Sequence, residues 1–397
     1  MRTFGRAFIQ FIKGTDTLLL FLCLSASAFG VILVHSATLN TVAEDGLFSR
    51  ETITMLAAIA LGLTMCMIIS VIDYEITLKL WPIIAGVCLL LMLSLFVFGV
   101  APDARSDARN WLPIGGIYFQ PSELLKIAFI ITFTVHIDWV KTKIHELKTI
   151  ILLALHGAFP VGLVIVTGDL GSALVFAAIF IGMMFLAGVR LRYFIAGFAV
   201  SFAAAPLLWI RFFSDFQKQR FLAVYYPQGM SSTAYKTVIY QQQQSINAIG
   251  SGQLTGKGLF KGTFIQNGLV PVDESDMIFA VVGEELGLLG ALAALILLAL
   301  IILKIVSVGK KSKDRIGSLL CYGTAIMIGS QAIINIGMCL KLLPCIGITL
   351  PFFSAGGSSN LCIYIGIGLI LSVYRANRDI KPVDFRLSSI RTPFSEI

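Results

Sequence analysis

Residues 149–188 read TIILLALHGAFPVGLVIVTGDLGSALVFAAIFIGMMFLAG, an apolar block of 40 residues in which Asp169 is the only charge. A continuous helix rises about 1.5 Å per residue, so the block would measure about 60 Å, twice the roughly 30 Å hydrocarbon core of a bilayer. It must therefore be two crossings, and Thr167-Gly168-Asp169 supplies the turn between them. Helices that span a membrane and return are the fold class this stretch dictates.

The same reading extends over the chain. Apolar runs near 17–36, 52–71, 79–100, 122–139, 149–167, 169–188, 193–211, 277–304, 317–340 and 352–373 are each long enough to cross. The chain is thus an all-α, polytopic membrane protein with about ten transmembrane helices and a single membrane domain over residues 1–397. Hydrophobic residues make up 57% and charged residues 13%, against about 45–50% and about 25% in ordinary globular domains. A soluble chain could not hide that excess, which excludes a soluble enzyme, a disordered tail protein and a secreted disulfide scaffold. The first run is followed by no small-residue cleavage site, so it reads as an anchor.

The net charge of +8 sits in short clusters between apolar runs, a pattern of membrane orientation rather than of nucleic-acid binding. With the N-terminus inside, 19 of the 30 lysines and arginines fall on the cytoplasmic side. Examples are Lys141/Lys143/Lys148, Arg190/Arg192, Lys310/Lys311/Lys313/Arg315 and Arg375/Arg378. Both termini are then cytoplasmic, and the loops 101–121 and 212–276 face outward, the second being the large extracytoplasmic loop before the eighth span. The seven cysteines lie in or beside apolar runs without a C-x-x-C pair, as packing residues do. The four histidines are isolated and form no zinc-type set, and no residue is assigned as a metal ligand. Gln241–Gln244 reads as part of a local amphipathic helix.

Charges beside or inside apolar spans are expensive and mark paired or functional groups. Four outer clusters carry them. Arg109-Asn110-Trp111 precedes Gln120-Pro121-Ser122-Glu123-Leu124-Leu125-Lys126, where Pro121 or Ser122 opens a helix and Glu123 and Lys126 are i,i+3 neighbours able to pair. The blander reading is a capped helix start with an ordinary ion pair, and Trp111 by itself is an interfacial belt residue. Asp169 opens a span and is either a helix cap or part of a site. Asp273, Glu274, Asp276, Glu284 and Glu285 border the eighth span, with Gly283, Gly287 and Gly290 allowing close helix approach. Gly356, Gly357 and Ser358 give the last span a small, polar entry. Basic Arg109, Lys126, Lys257 and Lys261 and acidic Glu123, Asp169 and Asp276 converge on the outer leaflet, where an anionic lipid-linked substrate would fit.

The runs RNWLPIGGIYFQPSELLK, GDLGSALV, QSINAIGSGQLTGKGLFKGT, PVDESDMIFAVVGEELG, NIGM followed by KLLP, and LPFFSAGGSSNL resemble the SEDS family of bacterial cell-wall polymerases (RodA, FtsW and SpoVE). Their order, the ten spans and the long outer loop match over essentially the whole chain. The GKG and GT elements at Gly256–Gly258 and Gly262-Thr263 look more like the RodA rod-shape branch than the FtsW division branch. The resemblance implies a peptidoglycan glycosyltransferase of the inner membrane. It would polymerise lipid II and lipid-linked glycan beside a class B penicillin-binding protein transpeptidase and other elongation-complex membrane proteins. The family's loop aspartate falls on Asp276, and its motif residues fall on Trp111, Gln120, Pro121, Ser122, Glu123, Lys126 and Asp169. The family's E-x-H-T-D element reads Val272-Asp273-Glu274-Ser275-Asp276, and its S-Y-G-G-S reads Ser354-Ala355-Gly356-Gly357-Ser358.

The implied reaction moves a glycan from undecaprenyl diphosphate to a sugar hydroxyl. Asp276 is the candidate base for that hydroxyl. Arg109, Lys126 or a divalent cation (Mg2+ or Mn2+) could stabilise the leaving diphosphate. Arg109, Trp111, Gln120, Ser122, Glu123, Lys126, Asp169, Lys257 and Lys261 are the candidate substrate-binding residues. Glu284, Glu285, Gly356, Gly357 and Ser358 support them. Rival readings are a lipid II flippase, a division-type polymerase and a scaffold for the transpeptidase. Polar groups gathered on one membrane face favour chemistry over a path across the bilayer.

Overall fold

A computed structural model describes residues 14–41, 46–101, 109–211 and 213–378. In chain order the helices are α1 (Thr17–Ala37), α2 (Arg50–Val71), α3 (Tyr74–Lys79), α4 (Trp81–Phe98), α5 (Pro121–Trp139), α6 (Leu147–Val166), α7 (Leu170–Leu186) and α8 (Leu191–Arg211). There follow α9 (Asp215–Tyr225), α10 (Ser232–Gly252), α11 (Thr263–Gln266), α12 (Ile278–Lys310), α13 (Arg315–Cys339) and α14 (Gly357–Asn377). Eight are long and apolar enough to cross a membrane by themselves. Two more complete the ten: α7 has 17 residues, and α5 carries Glu123, Lys126 and Asp138. Ten crossings bring residues 14 and 378 to one side of the membrane, with the long segment 213–276 on the other.

The helix starts follow local chemistry. Asp16, Ser49, Asp169 and Asp314 cap α1, α2, α7 and α13 by accepting from backbone N–H groups that have no partner within the helix. The 40-residue block breaks at Gly168, whose φ of 84° ends α6 before Asp169 opens α7. Between α4 and α5 stands a two-stranded hairpin, Leu112–Ile114 against Ile117–Phe119. Its Gly115-Gly116 turn has φ of 57° and 83°, which a two-residue hairpin of this twist requires.

α14 and α13 lie at the centre, with 78% and 67% of their apolar stretches buried, whereas α8 buries none of its own and touches the bundle through contacts such as Phe194 on Phe185. α14 lies along α2, and α13 packs on α12, α7 and α5. Tyr364 Oη and Ser27 Oγ meet at 2.7 Å and join α14 to α1. The glutamine run lies in α10 and fastens it to the end of α13: Gln242 Nε2 donates to Met338 O at 2.8 Å and to Leu343 O at 2.7 Å.

The eighth span departs from a straight helix. Gly287 takes φ 64° and ψ −159°, so α12 is a short outer piece joined at a break to a long inner one. Segment 253–258 packs into the break: Leu288 N donates to Gln253 O at 2.8 Å, and Gly258 N donates to Glu285 O at 2.9 Å. Of the three glycines read as helix contacts, Gly283 meets Ile249 of α10, whereas the space beside Gly290 is taken first by Leu286 of its own helix.

Candidate functional site

Pro121 occupies the first turn of α5, where its missing N–H costs nothing. Glu123 and Lys126 follow on one face, and Lys126 Nζ donates to Glu123 Oε1 at 2.7 Å. The lysine side chain is 0% and the glutamate 6% exposed, so this is a buried ion pair and not a surface one. Glu123 Oε2 takes a long contact of 3.5 Å from Gln331 Nε2 on α13.

Asp169 is both a helix cap and part of the site. Its Oδ2 accepts from Gln120 Nε2 at 2.7 Å and Ser122 Oγ at 3.1 Å, and its Oδ1 accepts from Ser172 N at 2.9 Å. One carboxylate therefore caps α7 and ties it to α5. Gln120 N donates to Ser358 Oγ at 2.9 Å, which brings in the start of α14. There Gly356 is the cap residue and Gly357 the first helical position.

Asp276 stands where the long loop enters α12 and is 9% exposed. Three bonds hold its segment against α13 and the loop before α14. Ala355 N donates to Glu274 O at 2.9 Å, Ser354 Oγ to Ser275 O at 2.7 Å, and Asn335 Nδ2 to Asp276 O at 2.8 Å. Val272 closes the turn with φ 57°, a strained value for a β-branched residue. Asp273 and Glu274 are adjacent, largely buried acids. Burial, and next the Glu274 charge, push the Asp273 carboxyl up to about 8. Burial likewise raises Glu274, with Asp276 and Glu51 adding negative charge nearby.

Glu284 and Glu285 form a second cluster at the break in α12. Glu284 accepts from Phe264 N at 2.9 Å and Ile265 N at 3.0 Å, satisfying the exposed N–H groups of α11, and from Lys257 Nζ at 2.7 Å. Glu285 accepts from Ser36 Oγ at 2.7 Å, Phe260 N at 3.1 Å and Gln266 Nε2 at 3.2 Å. These carboxylates clamp the loop 251–266 to α12 and α1.

The four basic residues do not act as one patch. Lys126 is buried in its pair, and Lys257 is held by Glu284 and Thr263, because each lies beside a carboxylate that needs a cation. Lys261 and Arg109 are exposed. Arg109 N donates to Thr167 O at 3.1 Å, which sets that residue beside the Gly168-Asp169 turn. Trp111 is half-buried and pairs by its backbone with Val100. Among the described residues no three His, Cys, Asp or Glu side chains converge on a point that could hold a metal ion. Sequence reasoning gave no role to Gln331 and Asn335; the signal was an amide in a span, which is costly unless bonded.

The outer ends of α5, α7, α12 and α14 thus bring together a largely buried carboxylate, a buried ion pair and two hydrogen-bonded helix starts. The profile of the FtsW/RodA/SpoVE family, described as cell cycle protein, matches residues 16–379. A probable peptidoglycan glycosyltransferase FtsW of Geobacter metallireducens is 32% identical over 377 residues, covering 91% of this chain and 95% of that protein. The peptidoglycan glycosyltransferase MrdB of Escherichia coli is 29% identical over 363 residues, 90% of this chain and 93% of that protein. Among solved structures, one described as the structural coordination of polymerization and crosslinking by a peptidoglycan synthase complex superposes with a TM-score of 0.75. It has 25% identity and covers 92% of this chain and 99% of that one. The rod shape determining protein RodA of Thermus thermophilus gives a TM-score of 0.66 at 26% identity, covering 91% and 97%.

Proposed function

Because this chain belongs to the FtsW/RodA/SpoVE family, and is accordingly a multi-pass peptidoglycan glycosyltransferase of the bacterial inner membrane, we propose that it polymerises lipid II into glycan strands at its outer face during cell elongation. The observation that carries this reading is the gathering of Asp276, the Glu123–Lys126 pair and the Asp169–Gln120–Ser122 cluster around four helix starts at one end of the bundle.

A sugar hydroxyl is a weak nucleophile. Asp276 accepts its proton as the new glycosidic bond forms and the bond to the diphosphate of the donor breaks. Arg109, exposed at the same end, meets the charge that develops on the diphosphate. Lys126 acts at one remove, by fixing the start of α5 through Glu123. A divalent cation, Mg2+ or Mn2+, would take its ligands chiefly from diphosphate oxygens, as Mg2+ commonly does, since the described residues offer no cage of three. A class B penicillin-binding protein is the partner we propose, in line with the likeness to a chain of a synthase complex.

The elongation role rests on the GKG and GT elements at Gly256–Gly258 and Gly262-Thr263. Expression in cells depleted of their rod-shape or of their division polymerase separates the branches: rod shape restored supports the proposal, and division restored sinks it. Polymerase and flippase are separated by fluorescent lipid II in detergent micelles with Mg2+ or Mn2+ and a partner transpeptidase. Product ladders are expected. Their absence, together with lipid II movement across proteoliposomes, would overturn the enzyme reading.

A further inference from the structure

Asn335 belongs to the NIGM stretch, a motif with no part in the mechanism above. It is 0% exposed near the outer end of α13, and its amide gives both hydrogens to backbone carbonyls: Asp276 O at 2.8 Å and Ile348 O at 2.7 Å. Cys339, one turn further along α13, points its Sγ at the same Asp276 carbonyl at 3.7 Å. One turn earlier, Gln331 is also 0% exposed and reaches Glu123 Oε2. Residues four apart on a helix share a face and are separated by about 6 Å along the axis. α13 therefore presents two buried amides on one face, one to each acidic centre of the site.

We infer that Asn335 is a positioning residue for Asp276, and that Gln331 and Asn335 together let α13 set the spacing between the Glu123–Lys126 pair and the base. The inference rests on the reading of Asp276 as base. Three further facts support it. An amide in a membrane span is costly unless its donors are used, and Asn335 uses both. The carbonyl it grips belongs to the residue whose side chain reacts, so the bond fixes the Cα from which the carboxylate projects. The segment it grips also runs through Val272 at φ 57°, a conformation that persists only where the surroundings over-determine it. Ser354 and Ala355 hold that segment from the α14 side, and Asn335 ties the Asp276 carbonyl to α13 and to the 346–350 loop.

The prediction is a loss of rate without a loss of substrate. In the purified full chain, with fluorescent lipid II, Asn335→Ala lowers kcat by about 10-fold to 100-fold, as misplacing a reacting group does. KM for lipid II stays within about two-fold, because ground-state binding is untouched. Gln331→Leu, which removes the other amide without leaving a large void, lowers kcat less and in the same manner. Cys339, buried beside the same carbonyl, stays unreactive to a thiol reagent in both variants if they are folded. Parental kcat in Asn335→Ala beside an inactive Asp276→Asn overturns the positioning role and spares the base. A rise in KM with kcat unchanged also overturns it. Parental activity in Asp276→Asn overturns both. If Asn335→Ala does not fold, the Gln331→Leu kcat and KM decide the question.

Discussion

Replacing Lys126 with methionine keeps most of the side chain's length and removes only its charge, in a place with no access to water. At the observed 2.7 Å separation from Glu123, two unit charges attract by about 6 kcal/mol at an effective dielectric of about 20. Most of that is offset by the cost of burying both ions, so the pair is worth little compared with two apolar residues. Breaking it is a different matter. Glu123 remains buried, with only the 3.5 Å contact from Gln331 among the described residues to satisfy its side chain, and an uncompensated charge of this kind costs about 3–5 kcal/mol. At about 1.4 kcal/mol per decade, the unfolded fraction should rise by about two to four decades. All seven cysteines are buried, so a thiol-reactive fluorophore followed through a thermal ramp in detergent reports the transition. Lys141→Met is the control, since Lys141 is 55% exposed in its 3.2 Å pair with Asp138 and its loss should cost about 0–1 kcal/mol. The double variant Glu123→Gln/Lys126→Met should recover much of the stability lost in Lys126→Met. Equal transitions for Lys126→Met and Lys141→Met would refute the reasoning, and show an ammonium that escapes to the interface.

Gly287→Ala should destabilise the protein by about 1–3 kcal/mol from the backbone alone, and by more once the new Cβ runs into the backbone at Gly256 N; an unchanged transition would deny the break in α12. Lys257→Met should lower the unfolding temperature at every pH from 6 to 8, because it strands Glu284, whereas Lys261→Met should not; activity assays with stability matched by ligand or lipid separate this from a substrate contact. Asp273, pushed up to about 8 chiefly by burial, keeps a proton at neutral pH that the unfolded chain releases near pH 4. Its contribution to stability is full below about pH 4 and is lost progressively as pH rises to about 8, so Asp273→Asn should flatten the decline in unfolding temperature between about pH 4 and 8, and a parental slope in that variant would count against the raised carboxyl.

The spans were legible because length and apolarity are local properties of a run: all ten helices fall where the ten runs fall. The double crossing of residues 149–188 followed from helix rise and bilayer thickness alone. The Glu123–Lys126 contact followed from i,i+3 spacing on a helix whose start Pro121 marks. The break at Gly287 was not legible, since a glycine that relieves helix packing and one that takes φ 64° look alike in sequence. The partner of Lys257 was hidden for another reason. It lies 27 residues away, beyond a turn whose geometry the sequence does not encode. Asn335 was passed over because an amide within an apolar run has meaning only through what it touches, here a carbonyl 59 positions earlier in the chain.

The central claim is that Asp276 does chemistry at the outer face. The most direct measurement is the rate at which the purified full chain and its Asp276→Asn variant lengthen fluorescent lipid II in micelles, with the same partner transpeptidase and divalent cation present. The amide matches the carboxylate in size but takes up no proton at neutral pH. The account predicts long product ladders from the parent and none from the variant, with lipid II binding and the thermal transition unchanged. Ladders of parental length and rate from Asp276→Asn would contradict it.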